Sequence, residues 1–409
     1  MADKHALRLT DHQRFDWLRL VRSENVGPRT FRALITNCGG VGAALKALPD
    51  LARRGGAKRP IRVASVEEIE KELIAARKLG VRFVALSEPD YPPALREIDS
   101  APPVLALRGA AEALRKAAVA IVGSRNASGA GLTFAERLAR GLGQAGYVIV
   151  SGLARGIDQR AHAASLETGA VGVLAGGHGK PYPSEAVPLM ERMVESGAIL
   201  SEMPVEWEPR GRDFPRRNRI VSGLALGVVV VEAARGSGSL ITARFALEQN
   251  RQVFAVPGSP LDPRSEGTND VLKQGASICT GADDVLTALE PVRPNDVTVM
   301  REAGGEAGEP LWGEQALYGV DPQSTPRTRA GDEFDDLSGA PYRSGDEAEA
   351  ARERIVGLLG PSPITLDELA RAAEASARTV RVALLELELA GRVEYSGDRV
   401  ALRTAADET

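Results

Sequence analysis

Turns rich in glycine, serine and arginine hold most of the chemistry this chain could perform. They are Gly123-Ser124-Arg125, the run Ser151-Gly152-Leu153-Ala154-Arg155-Gly156-Ile157-Asp158, Gly176 to Lys180, and Ser237-Gly238-Ser239. Glycine lets a backbone approach a ligand closely, and helix N-termini aim N–H groups at anions. Hydroxyls add donors, and arginine adds a planar fork that matches phosphate. Several such turns side by side suit a ligand with several phosphates. A further stretch, Phe214-Pro215-Arg216-Arg217-Asn218-Arg219, sets cations beside a ring on which a base could stack. Asp158 and His162 lie four residues apart on one helix face, and a helix-capping Asp with a buried His is the expected arrangement.

The spacings also exclude chemistries. Gly123-Ser124-Arg125 lacks the G-x-G-x-x-G pattern, and no acid follows the second strand where a ribose would need it, so a standard dinucleotide site is disfavoured. The sequence contains no G-x-x-x-x-G-K-[ST] phosphate loop, no metal-ligand cluster and no defensible Ser/His/Asp spacing. Binding without turnover is the expectation, with no cofactor, no metal and no catalytic residue.

The elements that must position these turns are legible as apolar runs. Val119 to Val122 stops at Gly123, a helical segment follows, and Tyr147 to Val150 stops at Ser151. Parallel strands need such a crossover, and their doubly buried faces read as continuous apolar runs. Ala170 to Ala175, Ala198 to Ser201, Gly227 to Val231 and Gln252 to Val256 continue the alternation with helices. About six strands alternating with helices predict an extended, Rossmann-like doubly wound α/β sheet over 104–290. Its ligand crevice lies at the carboxyl ends of the strands, where the turns fall.

The flanks read differently. Residues 1–60 are expected to form an all-α, helix-hairpin-helix-like domain whose turn, Asn25-Val26-Gly27-Pro28, could offer N–H groups to a DNA phosphate. Residues 61–103 read as a connecting helix and strand ending in a Pro-rich passage. Residues 291–348 have few apolar residues and no period, and are expected to be an acidic disordered linker. Residues 349–409 predict three helices and a hairpin, a winged helix. Its third helix carries Arg378 and Arg381 but also Glu386 and Glu388, so reading DNA and contacting protein are both open to it.

The net charge of −4 over 409 residues conceals an asymmetry. Residues 291–350 hold 13 acidic and 5 basic residues, leaving 42 acidic and 46 basic elsewhere. The folded parts are mildly basic, which is compatible with a polyanionic partner. The two cysteines, Cys38 and Cys279, are far apart and suit a reducing compartment. The polar first residues lack a leader's apolar core, and no apolar run approaches about 18 residues. A cytoplasmic protein without a membrane span is expected.

In order along the chain, Gly-Ser-Arg at 123–125, Ser-Gly-Leu-Ala-Arg-Gly-Ile-Asp at 151–158 with His162, Phe-Pro-Arg-Arg-Asn-Arg at 214–219, Ser-Gly-Ser-Leu-Ile-Thr-Ala at 237–243 and Ala-Val-Pro-Gly at 255–258 resemble the DNA-processing protein A family (DprA/Smf). The resemblance covers roughly Pro102 to Thr280, and the flanks match a common layout of that family. It implies binding of single-stranded DNA on the sheet domain, a homodimer formed near Ile241 to Val256, and loading of the recombinase RecA during natural transformation. Carried over, the phosphate-facing residues are Gly123, Ser124, Arg125, Ser151, Gly152, Arg155, Gly156, Lys180, Phe214, Arg216, Arg217, Asn218, Arg219, Ser237, Gly238 and Ser239. Gly177-His178-Gly179 departs from the family's Gly-Leu-Asp and lacks its acidic group. The alternative is a phosphoribohydrolase of the lysine-decarboxylase-like (LOG) family, whose Pro-Gly-Gly-x-Gly-Thr-x-x-Glu motif is absent.

Overall fold

The computed structural model describes residues 8–292, 346–396 and 399–403. Nearly all of the expected acidic linker therefore lies outside the described residues. The rest falls into two compact units, one from residues below 15 and from 66 to 292, the other from 15–65 and beyond 345.

The chain opens with α1 (Asp11–Arg22), α2 (Pro28–Cys38) and α3 (Val41–Arg54). Pro28 stands in the first turn of α2, where its missing N–H costs nothing. Gly39 ends that helix at φ 76°, the left-handed conformation glycine adopts most readily. Trp17 and Phe31 pack ring to ring at 4.9 Å and are almost wholly buried, as are Leu34 and Leu48.

The larger unit runs α4 (Val66–Lys78), β1 (Arg82–Ala85), α5 (Pro93–Arg96), β2 (Val104–Gly109), β3 (Ala118–Val122), α6 (Gly129–Gln144), β4 (Val148–Ser151), α7 (Ile157–Ala164), β5 (Ala170–Val173), α8 (Val187–Ser196) and β6 (Ala198–Ser201). It continues with α9 (Asp213–Gly223), β7 (Gly227–Val230), α10 (Gly238–Glu248), β8 (Gln252–Ala255), α11 (Glu266–Lys273), β9 (Ser277–Ile278) and α12 (Ala282–Leu289). The strands form one nine-stranded sheet in the order β1-β2-β6-β5-β4-β3-β7-β8-β9. From β6 to β9 every pairing is parallel, whereas β1 and β2 join antiparallel at one edge. The stretch read as a connection thus contributes an edge strand to the same sheet. The six strands legible as apolar runs are those flanked by crossover helices, and the fold is doubly wound as expected.

Chain order reverses direction between β3 and β7, so the crevice opens beyond Val122 and Val230. Both strands are buried on both faces, and Val119, Ile121 and Val229 share a core with Leu138, Leu142, Ile149 and Phe254. Each such side chain contributes about 1.5–3 kcal/mol through burial. That rigid platform fixes where the turns beyond the strands stand. Among the described residues no helix is long and apolar enough to cross a membrane.

The smaller unit is completed by α13 (Asp346–Leu358), β10 (Ile364–Thr365), α14 (Leu366–Ala372), α15 (Ala377–Leu389), β11 (Val393–Ser396) and β12 (Arg399–Leu402). Thr365 and Glu368 close a capping box on α14, and the strands pair antiparallel in the order β10-β12-β11. This is the expected winged helix, around Ile355, Leu369, Leu384, Val393 and Val400. The second half of its third helix, α15, is not open to solvent. It packs on α2 and α3, and Gly55 lies so close that a Cβ there would overlap the Glu386 carbonyl. Glu386 is 1% exposed, with Arg54 Nε at 3.1 Å and Arg352 Nη1 at 3.7 Å. Asn25, from the hairpin turn, donates to the Leu389 carbonyl at 2.9 Å. Arg29 stacks 5.6 Å from the Tyr395 ring centroid. Glu386 thus serves packing, while Arg378 and Arg381 remain exposed.

Candidate nucleic-acid interface

The β3–α6 turn is held shut at its core and open at its tip. A Cβ on Gly123 would press on Ile157, and one on Gly156 would overlap the Ser124 carbonyl. Gly156 also sits at φ 78°. These two glycines let the head of α7 nest against the turn, where the Ile157 amide donates to the Ser124 carbonyl at 3.3 Å. Ser124 Oγ turns back to accept from the Asn126 amide at 3.1 Å. Arg125 at the tip is exposed, and its guanidinium carbon lies 5.4 Å from the Phe214 ring centroid.

The head of α6 is where a Rossmann-type sheet would seat a phosphate. Here it is filled from within. Ser128 caps the helix by accepting from the Gly131 amide at 2.9 Å. Glu232, just beyond β7, takes the Ser128 amide at 2.9 Å and its hydroxyl at 2.5 Å. A Cβ on Gly131 would overlap that carboxylate. The partial positive charge of the helix head is thus neutralised by an internal anion.

At the end of β4, Ser151 is fully buried and donates to the Ile121 carbonyl at 2.6 Å. Asp158 does not cap α7, whose first turn follows Gly156. Its buried carboxylate accepts from the Gly152 and Ala154 amides at 3.1 and 3.3 Å. Burial pushes this carboxyl above its ordinary range, opposed by the charge of Arg217 and the bonds it accepts. His162 is completely enclosed, and burial lowers its pKa to about 3, so it is a neutral core residue. Arg155 points outward but is ion-paired with Glu185.

At the end of β5, Gly177 and Gly179 donate to the Trp207 and Val205 carbonyls at 2.9 and 2.8 Å. That lashes the 176–180 turn to the loop before α9. The sequence lacks an acid at Gly179, yet a Cβ there would overlap the Glu206 carboxylate. The missing negative group is supplied from the neighbouring loop. His178 is buried against the Ala106 carbonyl at 3.1 Å, its pKa lowered to about 4 by burial. Lys180 is exposed, and two residues on, Tyr182 meets Phe214 edge to face with centroids 5.5 Å apart.

The 214–219 stretch divides sharply. Phe214 and Arg216 reach the rim, Arg216 in an ion pair with Glu202 at 2.7 Å. Arg217, Asn218 and Arg219 turn inward, which places them away from the phosphate contacts expected of them. The Arg217 guanidinium is enclosed, donating to the carbonyls of Gly152 and Val173, and so clasps the ends of β4 and β5. Burial lowers its pKa to about 10, opposed by Asp158 and assisted by Arg125. A Cβ on Gly152 would overlap this guanidinium, so that glycine serves the clasp. Asn218 donates to the Gly238 carbonyl at 3.1 Å, and Arg219 bonds the Ser100 carbonyl and Glu202. Ser237 caps α10 and meets Ser239 Oγ at 2.8 Å. That seryl turn is internally satisfied and tied to α9 through Gly238.

The geometry therefore brings Arg125, Tyr182 and Phe214 together, with Lys180 adjoining, and turns Ser151, Arg217, Asn218 and Arg219 into the support beneath them. Among the described residues, neither Arg125 nor Lys180 forms an ion pair. Sequence reasoning passed over Tyr182, Glu202, Glu232 and Trp207. The Pro-Tyr-Pro run gave a signal for the first, and single acids directly after apolar strands gave one for Glu202 and Glu232.

Residues 82–290 match the family model described as DNA recombination-mediator protein A. Residues 11–75 match a DprA-like N-terminal HHH domain, and 339–398 a DprA winged helix domain. DNA processing protein DprA of Bacillus subtilis is 42% identical over 225 residues, spanning 54% of this chain and 76% of that protein. The Streptococcus pneumoniae protein of the same name is 42% identical over 202 residues, spanning 49% and 71%. The X-ray structure of DNA processing protein A from Streptococcus pneumoniae superposes with a TM-score of 0.56 at 32% identity, covering 69% of this chain and 98% of that one. With a family model matched over its whole sheet and a relative so closely similar, the chain belongs to the DNA recombination-mediator protein A family.

Proposed function

We propose that this chain binds single-stranded DNA along the carboxyl rim of its sheet and delivers it to a RecA-type recombinase. It does so without turnover, as a homodimer, in the cytoplasm. The observation that carries the reading is the grouping of Arg125 with the Tyr182–Phe214 ring pair and the neighbouring Lys180. Cations without carboxylate partners fit a phosphate backbone, and an exposed Tyr182 with a partly exposed Phe214 fits bases that are not already paired. A duplex keeps its bases stacked and offers the rings nothing. Sequence preference is expected to be weak, because backbone contacts carry no base information. Delivery to a recombinase is supported by the family's description as a recombination mediator. The dimer reading is supported by Leu247 of α10, 60% exposed within the region where the family resemblance puts the partner.

The test is a titration of the full chain with oligothymidylate and with a duplex of equal length over a salt series. Log affinity for the single strand should fall with log salt by about 0.7 per phosphate neutralised. Equal affinity for the duplex, or affinity indifferent to salt, would overturn the reading. Pull-down with RecA, with and without the strand, tests delivery.

A further inference from the structure

The loop before α9 carries a second ring that the phosphate-facing motifs do not include. Trp207 is partly exposed, and its indole N–H donates to Asp213 Oδ2 at 2.9 Å. The same oxygen accepts the Arg210 amide at 2.8 Å. The Arg210 guanidinium carbon lies 4.8 Å from the Trp207 ring centroid. The carbonyl of Trp207 accepts from Gly177, so the ring's backbone is fastened to the turn that leads to Lys180. Asp213 directly precedes Phe214 in the chain. One carboxylate thus sets the plane of the tryptophan and opens the helix that carries the phenylalanine.

From this geometry we infer that Trp207, backed by Arg210, is a second base-stacking platform on the loop that leads into Phe214, taking a further base of a bound single strand. The inference rests on the single-strand reading above. Tryptophan held by its only donor keeps both faces apolar, and an arginine over one face leaves the other for a base. The loop is electrically balanced, since Glu206 and Glu208 offset Arg210 and Arg212. Trp207 therefore contributes stacking and not phosphate neutralisation, which separates it from Arg125 and Lys180 in a measurable way.

The experiment uses the full chain and oligothymidylate. Trp17 is 1% exposed and gives a constant background, and Trp312→Phe removes the remaining tryptophan. In that background, saturation with the oligonucleotide should quench the fluorescence, and adding Trp207→Phe should abolish the quench. Trp207→Ala should weaken affinity about 5- to 150-fold, the range of one stacked base, with the salt slope unchanged. Trp207→Phe should recover part of that loss. If the parent protein binds the strand but Trp207→Ala binds equally well, or binding leaves the fluorescence unquenched, the platform is refuted and the single-strand reading stands. If the parent protein does not bind at all, the single-strand reading itself has failed.

Discussion

Arg125 and Phe214, 89 residues apart, meet with the guanidinium carbon 5.4 Å from the ring centroid. The contact joins the end of β3 to the head of α9 and gives one point on the rim both a charge and a stacking face. Replacing Arg125 and Lys180 together by alanine should remove most single-strand affinity and flatten the salt dependence by about 0.7 for each phosphate no longer neutralised. A mobility-shift titration at two or more salt concentrations measures both. Unchanged affinity would show that the strand lies elsewhere.

Phe214→Ala should weaken binding by about 1–3 kcal/mol without altering the salt slope, while Phe214→Tyr should come close to the parent. The same titration series resolves the two effects.

Arg217 is expected to behave as a structural residue despite its place in the basic motif. Changing it to leucine leaves the carbonyls of Gly152 and Val173 without their donor and the buried Asp158 carboxylate without its neighbouring positive charge. Removing one partner of a buried charge pair costs about 3–5 kcal/mol. Urea unfolding should show a loss of that order for Arg217→Leu and almost none for Arg216→Ala, whose partner Glu202 keeps Arg219.

Two enclosed histidines predict how stability responds to acid. His162 and His178 have pKa values lowered to about 3 and about 4 by burial, against an unfolded value near 6.5. In the unfolded chain these imidazoles take up protons first. Their effect on stability is therefore nil well above pH 6.5, and stability falls as pH drops through 6.5 towards 4. The slope reaches about 1.4 kcal/mol per pH unit for each histidine. Denaturation at pH 7.5 and pH 5.5 checks this, and His162→Gln should flatten the difference.

In the smaller unit, Glu386→Ala should lower stability by about 2 kcal/mol, because Arg54 and Arg352 lose a charged acceptor. Since Asn25 and Gly55 also lie against α15, the helical segment and the winged helix should melt in one transition by calorimetry. Two resolved transitions would contradict the packing.

Much of this was legible in the sequence because parallel strands are covered on both faces. Val119–Val122 and Val228–Val231 announce themselves as unbroken apolar runs, and the turns that follow them must fall at one end of the sheet. β2 was not legible in that way. It pairs antiparallel between β1 and β6 and follows a Pro-rich passage, with no crossover helix to mark it. The motif at 214–219 gave no sign of how its residues divide between the rim and the interior. Helix spacing sets Arg217 and Asn218, three and four positions on, towards the side of Phe214, so the local pattern could not reveal that both are buried. That all three turned inward depended on carbonyls at Gly152, Val173, Ser100 and Gly238, hydrogen bonds that span 20 to 119 positions and that no local pattern encodes.

The carboxylate of Glu232 at the head of α6 has a consequence for the company this protein keeps. A cell is full of soluble nucleotides whose phosphates seek helix heads of this kind. With that berth held by its own side chain, the head of α6 offers no open seat to the phosphate of ATP or NAD. A polymer held along the rim, as proposed above, would not be weakened by this. Free mononucleotides added in excess should therefore leave a bound strand in place, and a strand can be recognised amid a large background of its own monomers.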